Sequence, residues 1–385
     1  MHIEPVLTSH YNTKTTTAPV AVPRYDREGG EPMTCQISEP QREARRSAPP
    51  APRTKAALFG DTGIAGETVA KIYGPHRLQS LARLTQLHPT LITSENIDRC
   101  LHEVRDVEVI FCTWGMPKLT EAHLDQLPNL QAVFYAAGSV RGFAKPLLQR
   151  GITVVSGWVA NAVPVAEFTH AQILLANKGY FQNGREFTAP ARYKTAFRGQ
   201  GNFGATVALL GAGQIGRKVI ELLRPFRLRV IVFDPFMTEA QADNLGVEKV
   251  SLEQAFFEGQ VVSNHLADVP ATRNLLNAGL FASLPPDATF INTGRGGTVV
   301  TEDLIEVLRT RPDLTALLDV TEPEPLRCNS PLWSLPNARL SSHIAGAIGA
   351  EVGRVAEIVI DEFQAWEDGR PLRYAVSEAM LETMA

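Results

Sequence analysis

The chain has 385 residues, 44% of them hydrophobic and 20% charged, with a formal net charge of −4. That length is enough for two packed domains. The charge balance leaves neither the basic footprint of a nucleic-acid binder nor a polybasic segment for a membrane surface, so the expected partner is a small molecule.

Cys35, Cys100, Cys112 and Cys328 are widely spaced and form no CxxC pair, which argues against a zinc site and a disulfide framework. No apolar run approaches the roughly 18 residues that span a bilayer. The expectation is a cytoplasmic protein without a metal.

Residues 1–54 carry scattered charges, a Thr cluster at Thr15–Thr17 and prolines at Pro49, Pro50 and Pro52, with no sustained hydrophobic period. Such a segment buries too little to offset its ordering entropy and reads as a flexible arm. From Lys55 onward short apolar runs alternate with helical ones. Ala56–Phe59, Val107–Phe111, Leu130–Tyr135 and Thr153–Val155 read as buried parallel strands, with a helix over Glu67–Tyr73. A long helical pattern over Pro164–Ala176 leads to a basic stretch ending near Gly204, where the alternation restarts. The second unit is predicted to hold strands at Val207–Leu210, Arg229–Phe233, Val261–His265, Thr289–Asn292, Leu314–Asp319 and near Leu340. Helices are expected at Gln214–Leu223, Leu252–Phe257 and Thr301–Arg309, and six strands joined this way suggest a doubly wound sheet. A final helix over Glu351–Trp366 has no sheet after it and is expected to return to the first unit.

Gly211-Ala212-Gly213-Gln214-Ile215-Gly216 is a GxGxxG sequence. The hexapeptide alone is weak, but an apolar strand precedes it, a helix pattern follows, and the next strand leads to Asp234, 18 residues after Gly216. In such a turn Gly211 allows the tight bend, Gly213 lets a pyrophosphate approach the backbone, and Gly216 lets helix and strand pack. The helix N-terminus offers free N–H groups to the diphosphate, while a carboxylate at Asp234 accepts from ribose hydroxyls and repels a 2′-phosphate. With Pro235, Phe236 and Met237 supplying no cation, NAD is expected over NADP.

Polar residues at the carboxyl ends of strands are candidates for chemistry in an open parallel sheet. Arg295 follows Ile291-Asn292-Thr293, Glu324 lies in a Pro-rich turn after Leu317-Leu318-Asp319-Val320, and His343 follows Leu340-Ser341-Ser342. A guanidinium grips a carboxylate bidentately, an imidazole exchanges protons near neutrality, and a carboxylate orients the imidazole. Each residue taken alone reads more readily as an ordinary surface, turn or core position. Their shared place at one end of one sheet is what favours a site.

At these residues the sequence resembles the D-isomer-specific 2-hydroxyacid dehydrogenase family, from about Lys55 to Leu372. The carriers are Leu210–Arg217, Phe233-Asp234-Pro235, Ile291–Gly297, Leu318–Pro325 and Ser342-His343-Ile344-Ala345-Gly346. The resemblance implies an α/β chain in which a Rossmann NAD-binding domain (158–347) is inserted into a smaller flavodoxin-like α/β substrate domain (55–157 and 348–385). It implies hydride transfer between NAD and a small D-2-hydroxy acid of the glyoxylate or hydroxypyruvate type, in a homodimer. Arg295 would hold the substrate carboxylate, His343 would be the acid/base, and Glu324 its partner. Gly211, Gly213, Gln214, Ile215, Gly216, Asp234, Thr293, Asp319 and His343 would contact the cofactor, with Asp319 on the carboxamide.

Tyr135–Val140 looks like the family loop that receives the substrate, placing Ala137, Gly138 and Ser139 beside it. Trp114 would either wall the pocket or join the core. Many members continue with Gly-Val-Asp-Asn where this chain has Gly138-Ser139-Val140-Arg141-Gly142, and Asn264 and Ala267 stand where Leu and Pro are commoner. The alternative reading is an NAD-sensing interaction protein of the corepressor type, which uses the same fold.

Overall fold

The computed structural model describes residues 53–61, 69–382 and 384. The arm expected over residues 1–54 lies almost wholly outside them. The described chain holds two parallel sheets.

The first sheet contains β1 (Lys55–Phe59), β2 (Gln86–Leu87), β3 (Val109–Cys112), β4 (Ala132–Tyr135) and β5 (Thr153–Ser156), in the order β2-β1-β3-β4-β5. All its strand pairs are parallel. This order is that of flavodoxin-like sheets. β3 and β4 are buried along their whole length, as their unbroken apolar sequences require of strands covered on both faces.

One face of the sheet is covered by the helices Val69–Leu84 and Val352–Glu367. The Phe363 ring meets Phe111 and Phe134 edge-on, with centroids 5.1 and 5.6 Å away. The C-terminal helix therefore returns to the first sheet, and Ala375 adds an antiparallel bridge to Val155.

The second sheet contains β6 (Phe203–Leu210), β7 (Arg227–Phe233), β8 (Glu248–Lys249), β9 (Val261–Asn264), β10 (Thr289–Asn292), β11 (Thr315–Leu318) and β12 (Ala338–Leu340). Their order, β12-β11-β10-β9-β6-β7-β8, reverses direction between β6 and β9. That is the switch point at which doubly wound sheets bind ligands. Phe256, Phe281 and Phe290 pack mutually on one face, and the helix Trp158–Asn177 packs against the helix Gln214–Leu223 on the other.

The fold class is thus the expected one, with four local differences, the first being the two-residue edge strand β2, which gives the first sheet five strands rather than four. The second sheet has seven strands rather than six, because the chain re-pairs at Glu248–Lys249 after the left-handed Gly246. A two-residue edge strand has no hydrophobic period to announce it. The helix expected to begin at Pro164 begins at Trp158 and runs through the proline, whose ring nitrogen cannot donate back to Ala160. The helix expected to end at Tyr73 kinks there: Gly74 takes φ 61° before Pro75, and the chain resumes helix to Leu84.

Candidate active site

The turn from β6 into the helix Gln214–Leu223 shows why each of its glycines is needed. Gly211 has φ 97°, in the left-handed region that a side chain disfavours. A Cβ on Gly216 would lie 2.1 Å from the Gly211 carbonyl oxygen, so only glycine lets the helix sit on the turn. A Cβ on Gly213 would meet nothing within 4 Å, since this residue faces open space. As the N-cap, Gly213 offers no side-chain acceptor to the first-turn N–H groups, which stay available to an anion.

Asp234 follows β7. Its Oδ2 accepts the Ala212 N–H at 2.7 Å and its Oδ1 the Phe236 N–H at 2.8 Å. The carboxylate is held rigidly against the turn, and each oxygen keeps lone-pair capacity for a hydroxyl donor. A cleft of about 760 Å³ runs along these residues, lined also by Gln214, Ile215, Thr293, Arg295, Asp319 and His343. The open space at Gly213, the uncapped helix end and the anchored carboxylate fit a dinucleotide with free ribose hydroxyls.

Beyond the turn, the carboxyl ends of β10 and β11 and the end of β12 bring three charged residues together. Arg295 is half-buried after β10, with its Nη1 donating to the Gly294 carbonyl at 2.8 Å. Burial draws its guanidinium below the ordinary value, while the charges of Glu324 and Asp268 oppose that shift. Its loop is fixed by a buried amide network. Asn292 Nδ2 and Thr298 Oγ1 donate to the Arg295 carbonyl, and Asn264 Nδ2 donates to Asn292 Oδ1 and Thr298 Oγ1 at 3.0 and 2.9 Å.

His343 Nδ1 lies 2.5 Å from Glu324 Oε1, both side chains are about half exposed, and His343 lines the cleft. No described residue pairs with Nε2. The histidine occupies a left-handed turn, φ 58°, that a non-glycine residue adopts only when held there. Asp319 does the holding. Buried to 3% exposure, it accepts the His343 N–H on its carbonyl, and its carboxylate accepts the N–H groups of Ile344 and Ala345 and the Ser341 hydroxyl.

Thr293 is also buried, its hydroxyl 2.9 Å from that of Thr169. On the first-sheet side, Gly138, Ser139 and Trp114 line the cleft. Ala137, beside Gly138 in the chain, is fully buried, with its carbonyl accepting from Ser156 Oγ. Asn161 Oδ1 accepts the Ala347 N–H, tying the start of the helix Trp158–Asn177 to the loop after His343.

Sequence reasoning singled out neither His265 nor the cleft residues Trp158, Met380 and Met384. His265 follows β9 at the same end of the sheet as the other three candidates, which is the signal that marks it. It lines the cleft half-buried, its Nε2 lies 3.0 Å from Ser263 Oγ, and its buried Nδ1 has no partner among the described residues. Burial pushes its pKa down to about 4.

A flavodoxin-like sheet beside a doubly wound one, with a glycine turn, an anchored Asp and an Arg–Glu–His cluster at one end, defines a dinucleotide-binding α/β protein. Residues 171–345 match the family described as D-isomer specific 2-hydroxyacid dehydrogenase, NAD binding domain. Over these residues the chain is similar to the NAD-binding domain of that family. A D-3-phosphoglycerate dehydrogenase of Archaeoglobus fulgidus is 28% identical over 234 residues, covering 61% of this chain and 44% of the relative. The TT0316 protein of Thermus thermophilus superposes with a TM-score of 0.64 at 25% identity, over 84% of this chain and all of the other. D-mandelate dehydrogenase of Rhodotorula graminis does so at 0.69 and 20% identity, over 85% and 98%, and shares the fold. The chain spans about half the length of the phosphoglycerate dehydrogenases it matches. Among the described residues, no helix is long and apolar enough to cross a membrane.

Proposed function

We propose that the chain is an NAD-dependent dehydrogenase that interconverts a D-2-hydroxy acid and its 2-oxo acid. The observation that carries this reading is the His343–Glu324 pair, at 2.5 Å, on the same cleft as Arg295 and the dinucleotide turn. NAD, when bound, supplies the two-electron acceptor or donor at its nicotinamide ring.

Arg295 grips the substrate carboxylate and favours negative charge on the adjacent oxygen. Glu324 holds Nδ1 of His343, so Nε2 carries the proton given to the oxo group in reduction and taken from the hydroxyl in oxidation. Gly138 and Ser139 present backbone N–H groups from the facing loop, and Asp319 keeps the His343 turn in place. Residues 55–157 and 348–385 act as the substrate domain and 158–347 as the NAD domain. Glyoxylate and hydroxypyruvate are small 2-oxo acids compatible with this chemistry.

The same proposal includes a homodimer. Phe187, Tyr193 and Phe197 form an exposed edge-to-face cluster beside Arg192, Arg198 and Glu186, a surface with aromatic and opposite-charge groups that suits a second copy. Light scattering should return twice the chain mass. A cytoplasmic setting agrees with the free thiols of Cys100, Cys112 and the exposed Cys328.

The test of function is the loss of NADH absorbance when 2-oxo acids are added to the purified protein. Cofactor-dependent capture of a partner protein without turnover of any 2-oxo acid would replace this reading with the corepressor type.

A further inference from the structure

On its first-sheet side the cleft is walled by Trp114, Tyr135, Trp158, Met380 and Met384. These residues come from four separate stretches of the chain. Tyr135 ends β4, Trp158 opens the long helix, and Met380 lies on the short C-terminal helix Glu378–Leu381. Trp114, Trp158, Met380 and Met384 are partly buried and rest on the same core cluster as Tyr135, Ala137 and Val140. The fold thus gathers aromatic rings and thioethers beside Gly138 and Ser139, opposite the Arg–Glu–His cluster.

The charges of the cleft are accounted for elsewhere. Among the described residues that line it, the Arg and Lys side chains are Arg217 and Arg295, and Arg217 Nε donates to the Ala212 carbonyl at the dinucleotide turn. Arg141, in the facing loop, is turned onto the Asp268 carbonyl. Arg295 therefore serves one carboxylate. A phosphorylated acid would need a second cationic fork for its phosphoryl group. The seven residues between Asp61 and Val69 contain no Lys or Arg. A substrate as small as glyoxylate would leave the apolar wall facing water, although apolar walls recognise ligands by burying apolar area. Thioethers adapt to irregular shapes, and rings stack edge-on or offset against other rings.

We infer that the substrate is a 2-oxo or 2-hydroxy acid with a bulky apolar side chain, and that Trp114, Trp158 and Met380 set this preference. The inference rests on the dehydrogenase reading above and narrows its substrate class.

The experiment compares kcat/KM of the full chain, with NADH, for phenylpyruvate, 4-methyl-2-oxopentanoate, glyoxylate, hydroxypyruvate and 3-phosphohydroxypyruvate. The two apolar acids should exceed the other three by at least about tenfold, the scale that apolar pocket contacts provide. Turnover in which glyoxylate, hydroxypyruvate or the phosphorylated acid equals or exceeds them overturns the inference and leaves the dehydrogenase reading standing. Turnover of none of the five overturns both. Trp158→Ala and Met380→Glu should each lower the ratio of phenylpyruvate to glyoxylate efficiency severalfold. An unchanged ratio in both variants overturns the role given to the wall.

Discussion

The carbonyl oxygen of Asp319 accepts the His343 N–H at 3.0 Å, and through this bond a buried residue at the end of β11 fixes the backbone of an exposed one after β12. The Asp319 carboxylate completes the arrangement by accepting from Ile344 and Ala345, each at 2.9 Å. These bonds to one residue hold His343 in its left-handed backbone.

Replacing Asp319 by alanine strands those donors. Leaving buried donors unpaired costs about 1–3 kcal/mol. Asp319→Ala should therefore lower the melting temperature and, because the His343 turn loosens, lower turnover by at least about tenfold. Calorimetry and steady-state rates measured together check this, and a variant with unaltered kcat would remove Asp319 from the positioning role.

Asp234 should make the protein prefer NADH to NADPH by at least about tenfold in catalytic efficiency, since a 2′-phosphate meets a carboxylate and loses the ribose hydrogen bonds. Asp234→Ala should narrow the gap. Part of the loss with NADH will come from the turn itself, because the same carboxylate holds the Ala212 N–H. Equal efficiencies in the unaltered protein would contradict the ribose assignment.

His265 gives the fold an acid sensitivity. Its pKa in the folded chain is about 4, below the ordinary histidine value near 6.5. Between these values the unfolded chain binds a proton that the folded chain refuses. The stability is fully present above about pH 6.5 and is lost as the pH falls towards 4, by up to about 3 kcal/mol. Urea midpoints measured across this window should fall with pH, and His265→Gln should flatten the slope. A slope identical in both proteins would show that other groups carry it.

The sequence made the second sheet legible because its signals are local. The turn from Gly211 to Gly216 is a covalent spacing, and the helix Gln214–Leu223 and the strand Thr289–Asn292 have the expected ends. Arg295, Glu324 and His343 could be singled out because each follows an apolar strand, but their meeting depends on strand order, which no short stretch encodes. The illegible parts depend on tertiary contacts. β8 is two residues at a sheet edge, and the helix containing Pro164 starts early, where Asn161 engages the loop after His343. Ala137 is buried with its carbonyl bound by Ser156, and Met380 reaches the cleft only because the C-terminus returns to the first sheet. Each of these needs a partner more than 15 residues away in sequence, beyond any local period.

The central claim is that His343, oriented by Glu324, is the proton carrier of a 2-oxo acid reduction. The most direct measurement is the turnover of His343→Ala with NADH and the best 2-oxo acid of the panel, beside NADH affinity measured by fluorescence. Turnover should fall by about 10²-fold to 10⁴-fold, the usual worth of a positioned acid/base, with NADH affinity close to that of the unaltered protein. A variant that keeps full turnover would show the histidine to be a bystander and contradict the account.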